Sequence, residues 1–231
     1  MHLLKDKKNK IFIYLFVFLF LSTQNKINPN SNKNSLLKIK KIEVFGLSKQ
    51  NNSKLSLDLK TLLYKNIFFV DKKSFQKILN ENNLIENFYI RKTYPNLIEV
   101  KIKKADFLGI TILNNNKFFI GSNGKLISLK DFPNYDKNLP HVFGKVDTNK
   151  FVELKNIIDK SNFNYKDISL FYYFQSNRWD VKMNDGVLIK LPQTGLIQAL
   201  QIAYMIQSNE KLNDNKVIDL RISNHIITSN E

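Results

Sequence analysis

The chain has 231 residues, 43% of them hydrophobic and 12% aromatic, enough for one or two cored domains; a disordered chain is excluded. Its net charge of +16 invites a nucleic-acid partner, but the Lys is dispersed among Asn and Ile rather than gathered into a footprint, which argues against one. The absence of Cys excludes disulfides, thiolate metal sites and Cys nucleophiles.

Lys5, Lys7, Lys8 and Lys10 precede "IFIYLFVFLFL", an unbroken apolar run from Ile11 to Leu21. As a helix that run spans only about 16 Å against a hydrocarbon core of ~30 Å, which suits a signal-peptide core. The following "LSTQNKINPN" offers no small-residue cleavage site, which suits an uncleaved anchor. The expectation is a cytoplasmic tail over 1–10, a transmembrane anchor over 11–23 and a polar linker over 24–37, with the rest exported by the positive-inside rule.

Residues 38–104 form the first exported unit. "IKKIEVFGL" alternates Ile42 and Val44 up to a glycine turn at Gly46. In "SKLSLDLKTLLYK", Leu55, Leu59, Leu62 and Leu63 make a helical stripe with Ser53 as the expected N-cap, and Asp71 is placed to cap a second helix carrying Phe75, Ile78 and Leu79. Two strands follow, Ile85 to Thr93 and Leu97 to Lys103, separated by "YPN", with Ile98, Val100 and Ile102 on one face. The order is strand, helix, helix, strand, strand.

Residues 105–231 are β-rich. "FLGITIL", "KFFIGSNGKLISL", "ISLFYYF", "RWDVKMNDGVLIKL" and "KVIDLRISNHIIT" read as strands, with hairpin signals at Ser122 to Gly124 and Asn184 to Gly186. Two helices interrupt them, near Asn149 to Lys160 and near Thr194 to Gln207. The fold class is therefore α+β.

Taken in order, "IKKIEVFGL", "NIFFVD", "FYIRKTYPNLIEVKI", "FFIGSNGKLI", "LPHVFG", "RWDVKMNDGVLIKL" and "VIDLRISNHIIT" resemble the FtsQ/DivIB family of bacterial cell-division proteins. The resemblance implies an N-terminal membrane helix, a POTRA domain over 38–104, and a β-rich domain with two helices over 105–231. It further implies a scaffold of the divisome in the inner membrane, with the bulk of the chain periplasmic. In such a family the partner strand comes from FtsB, which is paired with FtsL, and adds near the C-terminal strands. Carried onto this sequence, Arg221, Ile222, Ser223, Asn224, His225 and Ile226 would line that edge. The chain departs from the family pattern at Asp106, Gln193, Ile222 and His225.

No catalytic, cofactor or metal site is expected, nor a small-molecule substrate. His2, His141 and His225 lack ligand spacing, His141 reads as a loop residue, and neither phosphate-cradling glycine motif is present. Asp219 and Arg221 read as a solvated charge pair, and Trp179 as core or a cross-strand partner. The alternative function is a POTRA-containing component of a secretion or outer-membrane assembly system, against which the lack of a following β-barrel pattern counts.

Overall fold

The computed structural model describes residues 7–23, 36–132, 135, 138–209, 216–222 and 225–229. The apolar leader is helix α1 (Lys7–Thr23), whose side chains from Ile11 to Leu21 are all exposed. Its 17 residues rise about 26 Å. Among the described residues no helix is long and apolar enough to cross a membrane, so the span expected over 11–23 finds no full-length helix here.

The first domain is a three-stranded sheet. Strand β1 (Lys41–Phe45) lies parallel to the central β3 (Leu97–Lys104), and β2 (Ile85–Thr93) pairs antiparallel with β3 on the other side. Helix α2 (Lys49–Asp58), the 3₁₀ turn Leu59–Leu62 and α3 (Lys72–Leu79) cover one face. Ile42, Val44, Ile98, Val100 and Ile102 meet Leu55, Leu59, Leu62, Phe75 and Leu79 in a closed core, while Ile90 is only partly covered. Asp71 caps α3 as expected, accepting from the Ser74 N–H at 3.0 Å and the Ser74 hydroxyl at 2.7 Å. Those two bonds hold its carboxyl below the usual carboxylate range. The cap of α2 is Ser48 rather than Ser53. Ser48 Oγ accepts from Asn51 N–H, whereas Ser53 sits inside the helix and donates back to the Lys49 carbonyl.

The second domain is a nine-stranded mixed sheet in the order β12-β11-β10-β9-β8-β7-β4-β5-β6. Its strands are β4 (Phe107–Leu113), β5 (Asn116–Gly121), β6 (Leu126–Ser128), β7 (His141–Phe143), β8 (Ile168–Phe174), β9 (Arg178–Met183), β10 (Leu188–Lys190), β11 (Val217–Asp219) and β12 (Ile227–Ser229). The two helices have a topological reason. Strand pairs β7–β8 and β10–β11 are parallel and need crossovers, which α4 (Thr148–Ile158) and α5 (Leu196–Gln207) supply. Both helices bury Phe151, Leu154, Ile158, Leu200 and Ala203 with Phe171, Val181, Ile189 and Ile218 from the sheet. Trp179 is in that core, 4% exposed, and faces Tyr173 across the β8–β9 ladder. His141 lies in β7 rather than in a loop, because the chain after Pro140 is drawn between β4 and β8.

A third core joins the domains. Leu84 from the first domain and Ala105 from the junction pack with Ile110, Phe119 and Ile127, flanked by Phe107, Phe132 and Tyr135. Phe107 and Phe119 stack with centroids 4.3 Å apart.

Candidate functional site

Among the described residues, β12 stands at the end of the nine-stranded sheet's strand order, with β11 as its neighbour. Three exposed isoleucines lie in β12 or just before it in the chain: Ile227 at 53% opens the strand, and Ile226 at 53% and Ile222 at 57% precede it. Exposed apolar side chains grouped beside a terminal strand are what strand addition by another chain requires, since main-chain groups give affinity and side chains give register.

The residues expected to form this edge are placed differently. Arg221, Ile222, His225 and Ile226 belong to the connection between β11 and β12, not to a strand; Ser223 and Asn224 lie outside the described residues. The strand stops at Asp219 because its carboxylate accepts the Arg221 backbone N–H at 3.1 Å, an Asx turn that takes the backbone out of the ladder. The His225 N–H then donates to the Ile222 carbonyl at 3.2 Å. The edge itself is Ile227–Ser229.

Behind the edge runs a row of charge. Lys190 is the register partner of Asp180 on one side and Asp219 on the other. Asp219 is not the solvated residue expected but is 8% exposed, and the Arg221 Nε donates to both its carboxylate oxygens, at 2.8 and 2.9 Å. That fork holds the Asp219 carboxyl below its ordinary range. Asp180 behaves oppositely. Burial pushes its carboxyl up, against the pull of Arg178, whose Nε stands 3.4 Å away without hydrogen-bond geometry. The row thus sets a forked Asp219–Arg221 pair beside a buried Asp180 whose Oδ1 has no hydrogen-bond partner. Among the described residues no group of three or more His, Asp or Glu could hold a metal ion.

A second set of residues escaped the sequence reading. The Ser122–Gly124 turn does more than join β5 to β6. The Asn123 side-chain amide donates to the Asn83 and Ile85 carbonyls, both at 2.9 Å, and the Ser122 hydroxyl donates to Glu86 at 3.0 Å. Lys125 Nζ reaches the Asn80 carbonyl at 2.6 Å, and Asn83 donates to the Leu126 carbonyl at 2.8 Å. Glu86 also pairs with Lys103 at 2.9 Å. The turn is thus a clasp on the first domain. Its "SNG" signal was legible only as a hairpin, because polar contacts across domains leave no periodicity.

Two family models match this chain, one over each domain. Residues 37–104 match the family model described as POTRA domain, FtsQ-type, and residues 111–221 match that of cell division protein FtsQ/DivIB, C-terminal. Cell division protein FtsQ of Rhizobium radiobacter is 28% identical over 191 residues, covering 81% of this chain and 84% of that one. The protein of the same name from Rickettsia bellii is 28% identical over 162 residues, 68% of this chain and 59% of its own length. Among solved structures, the major extracytoplasmic domain of DivIB from Geobacillus stearothermophilus aligns over 48% of this chain and 98% of its own, at 17% identity and a TM-score of 0.34.

Proposed function

Because the chain belongs to the FtsQ/DivIB family of cell-division proteins, we propose that it is a non-enzymatic, single-pass membrane scaffold of the divisome that recruits FtsB and FtsL through its periplasmic β domain. Helix α1 seats in the inner membrane with its lysine end cytoplasmic, and residues 24–37, of which 24–35 lie outside the described residues, connect it to the two domains on the far side. The stem of Lys10 and local thinning of the bilayer make up the missing length. The matched models are those of division proteins, which favours this reading over a secretion or outer-membrane assembly role.

The observation that carries the proposal is the terminal strand β12, which begins at the exposed Ile227 and is preceded by the exposed Ile222 and Ile226. A strand from FtsB, held by FtsL, adds to Ile227–Ser229, and the exposed Ile222 and Ile226 of the connection meet its side chains. Such an edge is also where a charge repels strand addition. The test is a titration of the full chain, in detergent, with the periplasmic segments of FtsB and FtsL. Ile227→Asp is expected to weaken saturable binding by roughly ten- to a hundredfold, the scale of losing an interface anchor, without changing the circular dichroism spectrum. Unchanged affinity in a folded variant removes the edge from the function; no binding by the wild type removes the partners.

A further inference from the structure

The end of the first domain where the chain leaves the tether is aromatic and basic. Residues 37–41 are clamped there from two sides. Ile67 N–H donates to the Leu37 carbonyl, Ile39 N–H to Lys65 and Tyr64 N–H to Ile39, each at 2.9 Å, while Lys40 N–H donates to the Asn96 carbonyl at 2.8 Å. The loop 64–70 and the turn 94–96 therefore flank the point at which the chain arrives from α1.

Both carry large side chains turned outward. Phe69 is 85% exposed, Tyr64 73%, Leu36 57%, and Phe68 and Tyr94 54% each. Phe68 and Tyr94 stack with centroids 4.8 Å apart, which joins the loop to the turn, and Phe69 and Tyr64 lie on the same loop. Tyr64 holds φ at +64°, a region that bulky residues rarely occupy, and it does so with its ring exposed. Over residues 60–73 there are four lysines, Lys60, Lys65, Lys72 and Lys73, and one carboxylate, Asp71, which is committed to capping α3. Lys92 adds a further cation whose ammonium donates to the Phe68 carbonyl at 3.2 Å.

We propose that this patch, Phe68, Phe69, Tyr64 and Tyr94 with their lysines, rests on the anionic lipid surface of the membrane that holds α1. The inference depends on the membrane reading of α1 given above. Rings at the headgroup level and lysines against anionic lipid are the two complementary contacts of an interfacial surface. The occupant follows from continuity: the patch surrounds the residues that arrive from the apolar helix. Docking sets the first domain's orientation to the bilayer.

The test places an indole in the patch. Phe69→Trp changes a side chain with no role in any core, and the native Trp179, being buried, supplies a constant background. The full chain is reconstituted into phosphatidylcholine vesicles with and without phosphatidylglycerol, floated to establish membrane attachment, and then exposed to lipids brominated near the headgroup. The expected result is flotation in both, with the emission added at position 69 shifted to the blue and losing more than about half its intensity in the anionic vesicles, and less in the neutral ones. Flotation without quenching overturns the contact and leaves the anchor standing. Equal quenching in both vesicles removes the lysines from the contact. Failure to float overturns both the contact and the anchor on which it depends.

Discussion

Replacing Asn123 by Ala tests whether the turn between β5 and β6 holds the two domains together. The substitution removes two hydrogen bonds to Asn83 and Ile85 and a third, in which Asn123 Oδ1 accepts from Lys125 N–H at 3.0 Å. The Asn83 contact is exposed and the other two are part-buried. At a net ~0.5–1.5 kcal/mol per bond, weighted down for the exposed one, the loss is about 2 kcal/mol. With an m-value of roughly 2 kcal/mol/M, the urea midpoint falls by about 1 M. The full chain in mild detergent is unfolded by urea and followed by far-ultraviolet circular dichroism and by fluorescence. The two probes differ usefully: Trp179 reports the β domain alone, and circular dichroism reports both domains. In the wild type the curves coincide, because the third core and the clasp couple the domains; in Asn123→Ala both midpoints move down. A loss below about 0.5 kcal/mol would refute the clasp and leave the apolar contacts of Phe119 and Leu84 as the whole coupling.

Two further outcomes follow from the same structure. Asp219→Asn removes the fork to Arg221; with solvent screening at the half-exposed guanidinium the cost at neutral pH is about 1 kcal/mol. Because the folded carboxyl titrates below its unfolded value, this contribution is complete above the unfolded value near pH 4 and disappears as the pH falls through the lowered one; wild-type and variant denaturation curves should converge there. Gly46→Ala should destabilise the first domain by roughly 2 kcal/mol or more in a thermal melt, since φ is +112° and an added Cβ would lie 1.9 Å from the Ile102 carbonyl oxygen; an unchanged melting point would contradict that geometry.

Wherever a buried face imposed a period, the sequence was readable. Ile98, Val100 and Ile102 alternate because one side of β3 is covered, and Leu55, Leu59 and Leu62 repeat because helix and 3₁₀ turn present one stripe. The cap of α2 was misplaced because "SKQNNS" supplies two serines at plausible positions, and only backbone geometry distinguishes Ser48 from Ser53. The C-terminal edge was misread for a different reason. Ile222 and Ile226 are apolar yet stand in a connection, so they mimic the composition of a strand, while the Asp219 carboxylate that ends β11 looks like any strand charge until its acceptance from Arg221 N–H is seen. The clasp of Ser122, Asn123 and Lys125 on residues 80–86 could not be read at all, because its partners are backbone carbonyls, which every residue possesses.

The passage from β3 to β4 is two residues, Ala105 and Asp106, and neither hangs loose. Ala105 N–H donates to the Leu84 carbonyl at 2.9 Å, and Asp106 is bonded to Ser122 through both its N–H and its carbonyl, at 3.0 and 2.8 Å. Tension passing from β3 to β4 therefore meets no free loop between the two strands; it falls on these bonds, with the Asn123 contacts beside them, and the junction offers no slack segment to serve as a hinge.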